Sequence, residues 1–489
     1  MPEHHDSIPT RDKVLIIGAG PAGLAAAAAL QALEVPFDLV DRAAHVGGIW
    51  DPQRTDSPVW PTLEMVSSRE FTQYEDLLQP VSFPEFLTPT HMAKYLRAYA
   101  ARHDLTDHFR PRTGVRHARP FDDGVWEVEL TTGEIGIYRA IISAHGITER
   151  PHYPAWAADV PTSVQVIHAK DWSGADGLEG QRVLVVGSGQ SAADIAVDAA
   201  RRALEVRWSM RTGHWIVPRR IAGRSGDVLA AREPARLGTL NAKIAETVIR
   251  RTVGTPEAVG LPRPVAPLLE DTVIVSDDVL DRVREGRITP AGGVTAVGAD
   301  GTVTLAGVAG GRGAQQRGEQ QYAPDLIVLA TGYESGADHL PKDVVPHTAD
   351  GAYDLFLGAF ARGRDDLVIL GQQRVSGGVL PVLVEQADVA AYMLAATMQG
   401  HSQQALEAFR RVRAGSESAV PAAATASGKG LMGTLGGAVG THRVTERSAA
   451  ASPASRGLGE GLVPAADRET LLARLRSVRE LFAEAHRRG

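Results

Sequence analysis

The sequence predicts an α/β fold, because an apolar run, a Gly-x-Gly turn and an Ala-rich segment occur twice in the same order. VLIIGAGPAGLAAAA spans residues 14–28, and VLVVGSGQSAADIA spans residues 183–196. Each apolar run is typical of a buried parallel strand, and the segment after each turn is typical of a helix. This strand–turn–helix pattern indicates a Rossmann-like dinucleotide-binding domain, so we expect two such domains in one chain.

The composition is that of an ordinary globular protein and excludes several classes of function. The chain has 489 residues, a formal net charge of −7 and no cysteine. The charge gives no reason to expect nucleic acid or a membrane surface as a partner. Without cysteine, disulfides, thiolate metal sites and dithiol redox mechanisms are excluded. No apolar run approaches the roughly 18 residues of a membrane helix, and MPEHHDSIPT does not resemble a signal peptide, so we expect a cytoplasmic protein.

Further elements are predicted along the chain. Strands are expected at 14–17, 37–40, 124–130, 140–146, 204–209, 325–335 and 366–372, and helices at 22–33, 91–105 and 382–399. Residues 50–89 and the Arg-rich residues 219–267 are expected to be irregular, the latter as an elaboration of the second domain. Residues 414–462 are rich in Ala, Gly, Ser, Thr and Pro and predict a flexible low-complexity segment. A final helix is expected to dock through one apolar face, formed by Leu471, Leu472, Leu475, Val478, Leu481 and Phe482.

The first turn has the features of a site for a dinucleotide with a free ribose. Gly18 permits the tight bend, Gly20 permits close approach of a pyrophosphate, and Gly23 permits close packing of the helix on the strand. The helix N-terminus favours the anion. Asp41 ends the next predicted strand, where a carboxylate accepts hydrogen bonds from ribose hydroxyls and repels a 2′-phosphate; Arg42 follows it as a further predicted contact.

The second turn differs from the first at the end of the following strand. Its motif residues are Gly187, Gly189 and Ala192, and adding 169 to the first unit aligns Asp41 with Met210 and Arg42 with Arg211. A guanidinium group suits a 2′-phosphate, so this unit is predicted to bind NADPH, although a solvated arginine at a strand end is the alternative. The other predicted NADPH contacts are Gln190, Ser191 and Thr212. Two sites of different preference indicate a resident FAD that NADPH reduces.

Several motifs between residues 12 and 400 resemble the flavin-containing monooxygenases, the class B flavoprotein monooxygenases. They include Gly47-Gly48-Ile49-Trp50, the sequence HAKDW at 168–172, Ala330-Thr331-Gly332-Tyr333 and Glu385-Gln386-Ala387. The resemblance implies FAD contacts at Gly48, Trp50, Thr331 and Gly332, with core packing as the alternative for Trp50. It also implies that the NADPH domain is inserted in the FAD domain. The expected boundaries are 8–155 and 323–413 for the two parts of the FAD domain, 156–322 for the NADPH domain, 414–462 for the flexible segment and 463–489 for the last helix.

The chain departs from the family pattern at three places. The fingerprint that ends in His168 has Thr162 and Val164 where the family has Phe and Gly. Residues 144–146 are Ala-His-Gly instead of Ala-Thr-Gly. Val66 stands where the family has an asparagine beside the flavin, so Ser67 and Ser68 are the alternative donors at this catalytic position. For His168 we expect a hinge between domains, with ligand positioning as the alternative, and for Trp172 we expect packing.

The resemblance implies that NADPH reduces FAD and that the reduced flavin reacts with O2 to form a C4a-(hydro)peroxyflavin. This species is expected to oxygenate a nitrogen or sulfur centre of a small molecule. Two alternatives stay open: Baeyer–Villiger oxygenation of a ketone, towards which Trp172 leans, and an NADPH oxidase or reductase without coupled oxygenation, which Val66 favours. The partners implied are a small-molecule substrate and O2; a homodimer is left open, and the remaining histidines show no metal-ligand spacing.

Overall fold

The computed structural model describes residues 10–121, 124–221, 223–227, 238–268, 273–308, 318–334, 336–348, 352–375, 378–415, 462–463 and 465–488. The predicted low-complexity segment 414–462 lies almost entirely outside the described residues.

The strands are short, and many of them form two large sheets, of which one is mixed and the other parallel. They are β1 Val14–Ile17, β2 Phe37–Val40, β3 Phe109–Arg110, β4 Val115–Pro120, β5 Trp126–Leu130, β6 Ile135–Tyr138, β7 Ala140–Ser143, β8 Arg150–Pro151, β9 Gln165–His168, β10 Arg182–Val186, β11 Glu205–Ser209, β12 Ile216–Val217, β13 Arg220–Ile221, β14 Arg224–Ser225, β15 Ile274–Val275, β16 Ile288–Ala291, β17 Val294–Val297, β18 Val303–Leu305, β19 Gln320–Tyr322, β20 Leu326–Leu329, β21 Tyr333–Glu334, β22 Leu355–Phe356, β23 Phe360–Ala361, β24 Leu367–Ile369, β25 Arg374–Val375 and β26 Leu462–Val463.

A helix begins directly after each glycine turn, as the repeated strand–turn–helix pattern predicts. They are α1 Pro21–Ala32, α2 Pro89–Arg102, α3 Gln190–Ala199, α4 Gly238–Thr252, α5 Val279–Arg284, α6 Leu380–Gln399, α7 Gln403–Gly415 and α8 Ala465–Arg488. Among the residues that the structure describes, no helix combines the length and apolar character needed to cross a membrane.

The same local arrangement occurs in both large sheets, which confirms the predicted fold class. The first sheet has the order β22-β23-β24-β7-β1-β2-β3, and the second has the order β16-β11-β10-β20-β9. β1 lies between β2 and β7, and β10 lies between β11 and β20, with all four pairings parallel. Because the carboxyl ends of parallel strands meet at one edge, each glycine turn lies at the carboxyl edge of its own sheet.

One predicted boundary is wrong, because β20 belongs to the second sheet. The expected return to the first domain at residue 323 would place β20 in the FAD domain. In the structure β20 pairs with β10 on one side and with β9 on the other. The strands of the first sheet resume only with β22. The family motif at 330–333 therefore marks the end of a second-sheet strand, and the chain crosses back after it.

One helix was not expected from the sequence, and another was. The Arg-rich residues 219–267 were expected to lack regular structure, yet they contain the 15-residue helix α4. The predicted final helix is present as α8, which packs on α6. Its apolar face is buried as expected, with Leu475 and Phe482 fully inside the core and Val478 and Leu481 packed against it.

Candidate dinucleotide and flavin site

The first turn needs glycine at two of its three motif positions. Gly18 has a φ of +105°, and a Cβ there would lie 2.4 Å from the carbonyl oxygen of Ala144. A Cβ on Gly23 would lie 1.8 Å from the carbonyl oxygen of Gly18, so α1 packs directly on the turn. Gly20 faces Gly48, where a Cβ would lie 2.8 Å from the Gly20 Cα. The structure therefore brings the first turn and the Gly47–Trp50 loop together as a backbone cradle, the kind of surface that a pyrophosphate needs.

Asp41 holds this cradle from the end of β2. Its Oδ2 accepts the Ala19 N–H at 2.7 Å, and its Oδ1 accepts the Ala43 N–H at 2.8 Å. A carboxylate has about four lone-pair sites, so each oxygen of Asp41 keeps capacity for a ribose hydroxyl. Arg42 instead lies between two carboxylates, 2.5 Å from Glu149 and 3.2 Å from Asp56.

The second turn repeats the geometry of the first. Gly187 has a φ of +146°, and a Cβ there would lie 2.2 Å from the carbonyl oxygen of Ala330, as Gly18 does with Ala144. No atom of the described part of the chain beyond its two sequence neighbours lies within 4 Å of a Cβ built on Gly189, which leaves open space above this turn. Thr212 lies at the turn, with its hydroxyl 3.1 Å from that of Ser188.

The strand end beside this turn lacks a carboxylate, as the sequence shows. Met210 is buried, whereas Arg211 is exposed. The side chain of Arg211 passes over Gly293, where a Cβ would lie 3.0 Å from the Arg211 Cγ. Gly293 thus leaves room for the arginine stem at the edge of the second turn.

Gln190 and Ser191 begin α3 directly after the turn. The amide of Gln190 pairs with the backbone of Val275, accepting its N–H at 2.8 Å and donating to its carbonyl oxygen at 2.9 Å. The side chain of Gln190 therefore links α3 to β15. The backbone N–H of Gln190, at the first turn of the helix, is the group that can bind an anion. Ser191 is exposed beside it.

Asp194, one turn further along α3, is half-buried. It accepts a hydrogen bond from the Gln190 amide at 2.9 Å. Burial raises the pKa of Asp194 to about 7, against the lowering effects of that hydrogen bond and of Arg219. A half-buried carboxyl with a pKa of about 7 therefore lies one helical turn from the predicted NADPH site.

Thr331 and Gly332 lie where the chain crosses between the two sheets. The Thr331 hydroxyl donates to the carbonyl oxygen of His152 at 2.5 Å, and the His152 N–H donates to the carbonyl oxygen of Gly332 at 2.9 Å. His168 Nε2 donates to the same Gly332 oxygen at 3.0 Å, while its Nδ1 accepts the Lys170 N–H at 3.1 Å. Both ring nitrogens of this buried histidine have partners, and burial lowers its pKa, which favours the hinge interpretation over ligand positioning.

Trp172 and Trp50 have different surroundings. Trp172 is buried, and its Nε1–H donates to Asp198 at 3.1 Å, so the expectation of packing is confirmed. Trp50 is half-buried and packs against the main hydrophobic core beside the first sheet. Its contact with FAD stays a prediction.

The three residues predicted beside the flavin are not equivalent. Val66 is half-buried, and the hydroxyl of Ser67 lies 2.8 Å from that of Thr72. Ser68 is 1 % exposed, and its N–H donates to Asp227 at 2.6 Å. The Ser68 hydroxyl has no hydrogen-bond partner among the described residues.

A network beside the first turn was not predicted from the sequence; its Ser143 and His339 are buried, and its His145 and Gln372 are half-buried. The Gln372 amide nitrogen donates to the Gly146 carbonyl oxygen at 3.0 Å and faces His145 Nε2 at 3.2 Å, so that ring nitrogen is the acceptor. His145 Nδ1 then donates to the Ser143 hydroxyl at 2.8 Å, and Ser143 donates to His339 Nε2 at 2.9 Å. Each imidazole is thus held neutral. Burial lowers the pKa of His145 to about 4, and burial together with His145 lowers that of His339 to about 3.

Comparisons with known proteins agree with this architecture. The family described as flavin-binding monooxygenase-like matches residues 11–416. The probable indole-3-pyruvate monooxygenase YUCCA3 of Arabidopsis thaliana is 27% identical over 380 residues, which cover 71% of this chain and 82% of that protein. Flavin-containing monooxygenase 5 of Cavia porcellus is 25% identical over 399 residues, which cover 76% of this chain and 71% of that protein.

Solved structures show the same fold at low identity. A flavin-containing monooxygenase from Stenotrophomonas maltophilia has a TM-score of 0.58 at 19% identity, with 80% of this chain and 99% of that chain covered. A cyclohexanone monooxygenase mutant from Rhodococcus sp. Phi1 bound to NADP+ has a TM-score of 0.60 at 17% identity, with 80% and 87% covered. Because the family match spans most of the sequence, the chain belongs to the flavin-binding monooxygenase-like family, whose members use FAD and NADPH.

Proposed function

We propose that the chain holds FAD at the first turn and NADPH at the second and transfers one oxygen atom of O2 to a nitrogen or sulfur centre of a small molecule. The balanced reaction consumes substrate, NADPH, H+ and O2 and yields oxygenated substrate, NADP+ and water. The observation that carries the proposal is the pair of matched glycine turns with different strand ends, Asp41 in one and Met210-Arg211 in the other.

The FAD assignment is supported by the cradle formed by Gly18, Gly20, Gly23 and Gly48. A Cβ on Gly18, Gly23 or Gly48 would overlap backbone, whereas one on Gly20 would fill the space above the turn. Asp41 lies at its edge with acceptor capacity for the ribose. The N-terminus of α1 adds the partial positive charge that a pyrophosphate favours. FAD supplies the electron transfer and the activation of O2, and the protein positions it and excludes water.

The NADPH assignment is supported by the open second turn and by its polar surroundings. Gly187 and Gly189 present backbone, and Thr212 and Ser191 add hydroxyl groups beside it. Arg211 supplies the cation for a 2′-phosphate at the position where the first unit has Arg42 after its acid. Thr331 and Gly332 lie at the crossing between the sheets, so we propose that they line the space between the two dinucleotides.

Ser68 is proposed as the donor that replaces the family asparagine. Leaving a buried hydroxyl unsatisfied costs about 1–3 kcal/mol, so its lack of a partner among the residues that the structure describes supports a ligand contact. The neighbouring Ser67 already pairs with Thr72. Val66 offers only apolar bulk, so Ser68 supplies the polar contact toward the reacting edge of the flavin.

A carbonyl substrate is the second candidate, and the curated relatives favour it. YUCCA3 of Arabidopsis thaliana, the relative described above, is named for indole-3-pyruvate, which is a 2-oxo acid. Trp172 no longer supports this branch, because its side chain is buried and hydrogen-bonded to Asp198. An uncoupled NADPH oxidase is the third candidate, and Val66 is its support.

A coupling measurement tests the proposal. NADPH consumption, hydrogen peroxide release and product formation are measured with four probes: a thioether, a tertiary amine, a ketone and a 2-oxo acid. We expect the thioether or the amine to yield product and to lower the peroxide released per NADPH. Product from the ketone or the 2-oxo acid alone establishes the second candidate instead. Peroxide equal to NADPH with all four probes contradicts oxygenation.

A further inference from the structure

The C-terminal segment lies outside the residues that match the family, yet it reaches the loops beside the predicted flavin site. The family match ends at residue 416, whereas β26 and α8 begin at residues 462 and 465. β26 pairs in parallel with β25, so that Arg374 is opposite Leu462 and Val375 is opposite Val463. β25 begins two residues after Gln372, which belongs to the network beside the first turn.

Arg468 of α8 is buried where the segment that contains Gly378 contacts the segment that contains Phe71. It is 5 % exposed, and its Nε and Nη2 donate to the carbonyl oxygen of Gly378 at 3.3 and 3.2 Å. The same guanidinium lies 5.4 Å from the centroid of the Phe71 ring. Gly378 itself packs on Phe71 so closely that a Cβ would lie 1.7 Å from the Phe71 carbonyl oxygen. Arg468 therefore fixes the junction of Gly378 with Phe71.

This junction is joined directly to Ser68. The Phe71 N–H donates to the Ser68 carbonyl oxygen at 3.0 Å, and the Ser68 N–H donates to Asp227 at 2.6 Å. Burial lowers the pKa of Arg468, and the charges of Glu469 and Asp227 oppose that lowering while Arg476 adds to it. Arg468 and Asp227 thus contact opposite ends of the same short segment, residues 68–71: Arg468 contacts Phe71, and Asp227 binds the Ser68 N–H.

Docking of α8 has separate anchors. Leu471, Leu472, Leu475 and Phe482 are buried in the core. Glu385 of α6, which is 1 % exposed, lies 2.8 Å from Arg476 and 3.3 Å from Arg479. The position of the helix is thus determined by contacts further along it than Arg468.

We propose that Arg468 is a positioning residue of the oxygenation site, which orients Ser68 through Phe71 and Gly378. The inference rests on the role proposed above for Ser68. It assigns a function in the site to a segment beyond the family match, whose sequence pattern alone indicated only a docking helix.

The test compares Arg468→Gln and Arg468→Lys with Arg479→Gln as the matched control on the same helix. Hydrogen exchange is followed in peptides covering residues 66–71 and 471–482, and peroxide release per NADPH is measured with the holoenzyme. For Arg468→Gln we expect exchange in residues 66–71 to rise about tenfold, because local opening is easier, with exchange in residues 471–482 unchanged. The peroxide fraction should rise while the rate of flavin reduction by NADPH stays the same.

The control and the conservative variant separate positioning from docking. Arg479→Gln should loosen residues 471–482 and leave the peroxide fraction unchanged, and Arg468→Lys should give an intermediate effect because one ammonium replaces a planar fork. Equal loosening of both peptides in Arg468→Gln overturns the inference, since Arg468 is then only a docking residue. If Ser68→Ala raises the peroxide fraction and Arg468→Gln does not, the inference fails and the role of Ser68 stands. If neither does, the role of Ser68 fails first and the inference with it.

Discussion

The hydroxyl of Ser143 donates a hydrogen bond to Nε2 of His339 over 2.9 Å, at the carboxyl end of β7 beside the first glycine turn. His145 donates to the same hydroxyl, so the two imidazoles share one serine and both are neutral. A proton on either ring would remove an acceptor from this network and place a charge beside the buried Ser143.

The network predicts a loss of stability in mild acid. The folded-state pKa values of His145 and His339, about 4 and about 3, lie below the ordinary value of 6.5. The unfolded chain therefore binds protons that the folded chain does not, and stability falls as the pH drops from about 6.5 to about 4. Each such proton contributes a slope of about 1.4 kcal/mol per pH unit. Urea unfolding at several pH values measures this slope.

The variant His145→Asn/His339→Gln isolates the contribution of the network. It should be less stable than the parent at pH 7 and should show a shallower slope between pH 6.5 and 4. His117→Gln, at an exposed position of β4, serves as the control and should keep the parental slope. An unchanged slope in the double variant would show that the two rings titrate normally.

Gly18 and Gly20 are predicted to fail in different ways. Gly18→Ala should destabilise the fold, because its Cβ would overlap the Ala144 carbonyl and its φ is positive. Gly20→Val should fold, because a Cβ at this position does not overlap the protein itself. It should lose FAD, because the new side chain would occupy the space that we assign to the pyrophosphate. The flavin-to-protein ratio and thermal unfolding measure the two effects. Full flavin occupancy in Gly20→Val would contradict the assignment of FAD to the first turn.

Arg211 is predicted to determine the preference for NADPH. A hydrogen bond to a charged group contributes roughly 1.5–3 kcal/mol, so Arg211→Ala should raise the NADPH Michaelis constant about ten- to a hundredfold. The Michaelis constant for NADH should stay nearly unchanged. Arg202→Ala, an exposed residue of the same domain, is the control. Equal use of NADH and NADPH by the parent protein would show that Arg211 does not contact a 2′-phosphate.

The donors that we propose to lie beside the flavin are predicted to control coupling. Loss of one preorganised donor costs on the order of 2.7–4 kcal/mol of transition-state stabilisation, so Ser68→Ala should release nearly all reducing equivalents as hydrogen peroxide. Val66→Asn should lower the peroxide fraction without changing the rate of flavin reduction. Ser67→Ala is the matched control, because its hydroxyl pairs with Thr72. A larger effect from Ser67→Ala than from Ser68→Ala would reverse the assignment.

The elements close to each turn were predictable from local sequence. The bounds of β1 and β2 agree with the prediction, because a buried parallel strand between turn residues is a strong local pattern. The boundary at 323 was wrong because β20 is an apolar strand like β7, and only its pairing with β10 reveals its sheet. α4 was missed because the Arg-rich segment around it hides its helical period.

The contacts of the candidate site were beyond local sequence patterns. Ser143 and His339 are 196 residues apart, and Ser68 and Asp227 are 159 residues apart. The unusual His145 in the Ala-x-Gly position was the one available signal for the network beside the first turn. The choice between Ser67 and Ser68 depended on which hydroxyl already has a hydrogen-bond partner in the folded protein, and the sequence does not show this.

Stopped-flow spectroscopy distinguishes oxygen transfer coupled to NADPH oxidation through FAD from uncoupled oxidation of NADPH. The flavin is reduced anaerobically with NADPH and is then mixed with O2 while its absorbance is followed. The proposed function predicts a transient spectrum, distinct from reduced and oxidised flavin, that decays faster when an oxidisable substrate is present. A single-phase return to oxidised flavin, with one hydrogen peroxide released per NADPH, would contradict it.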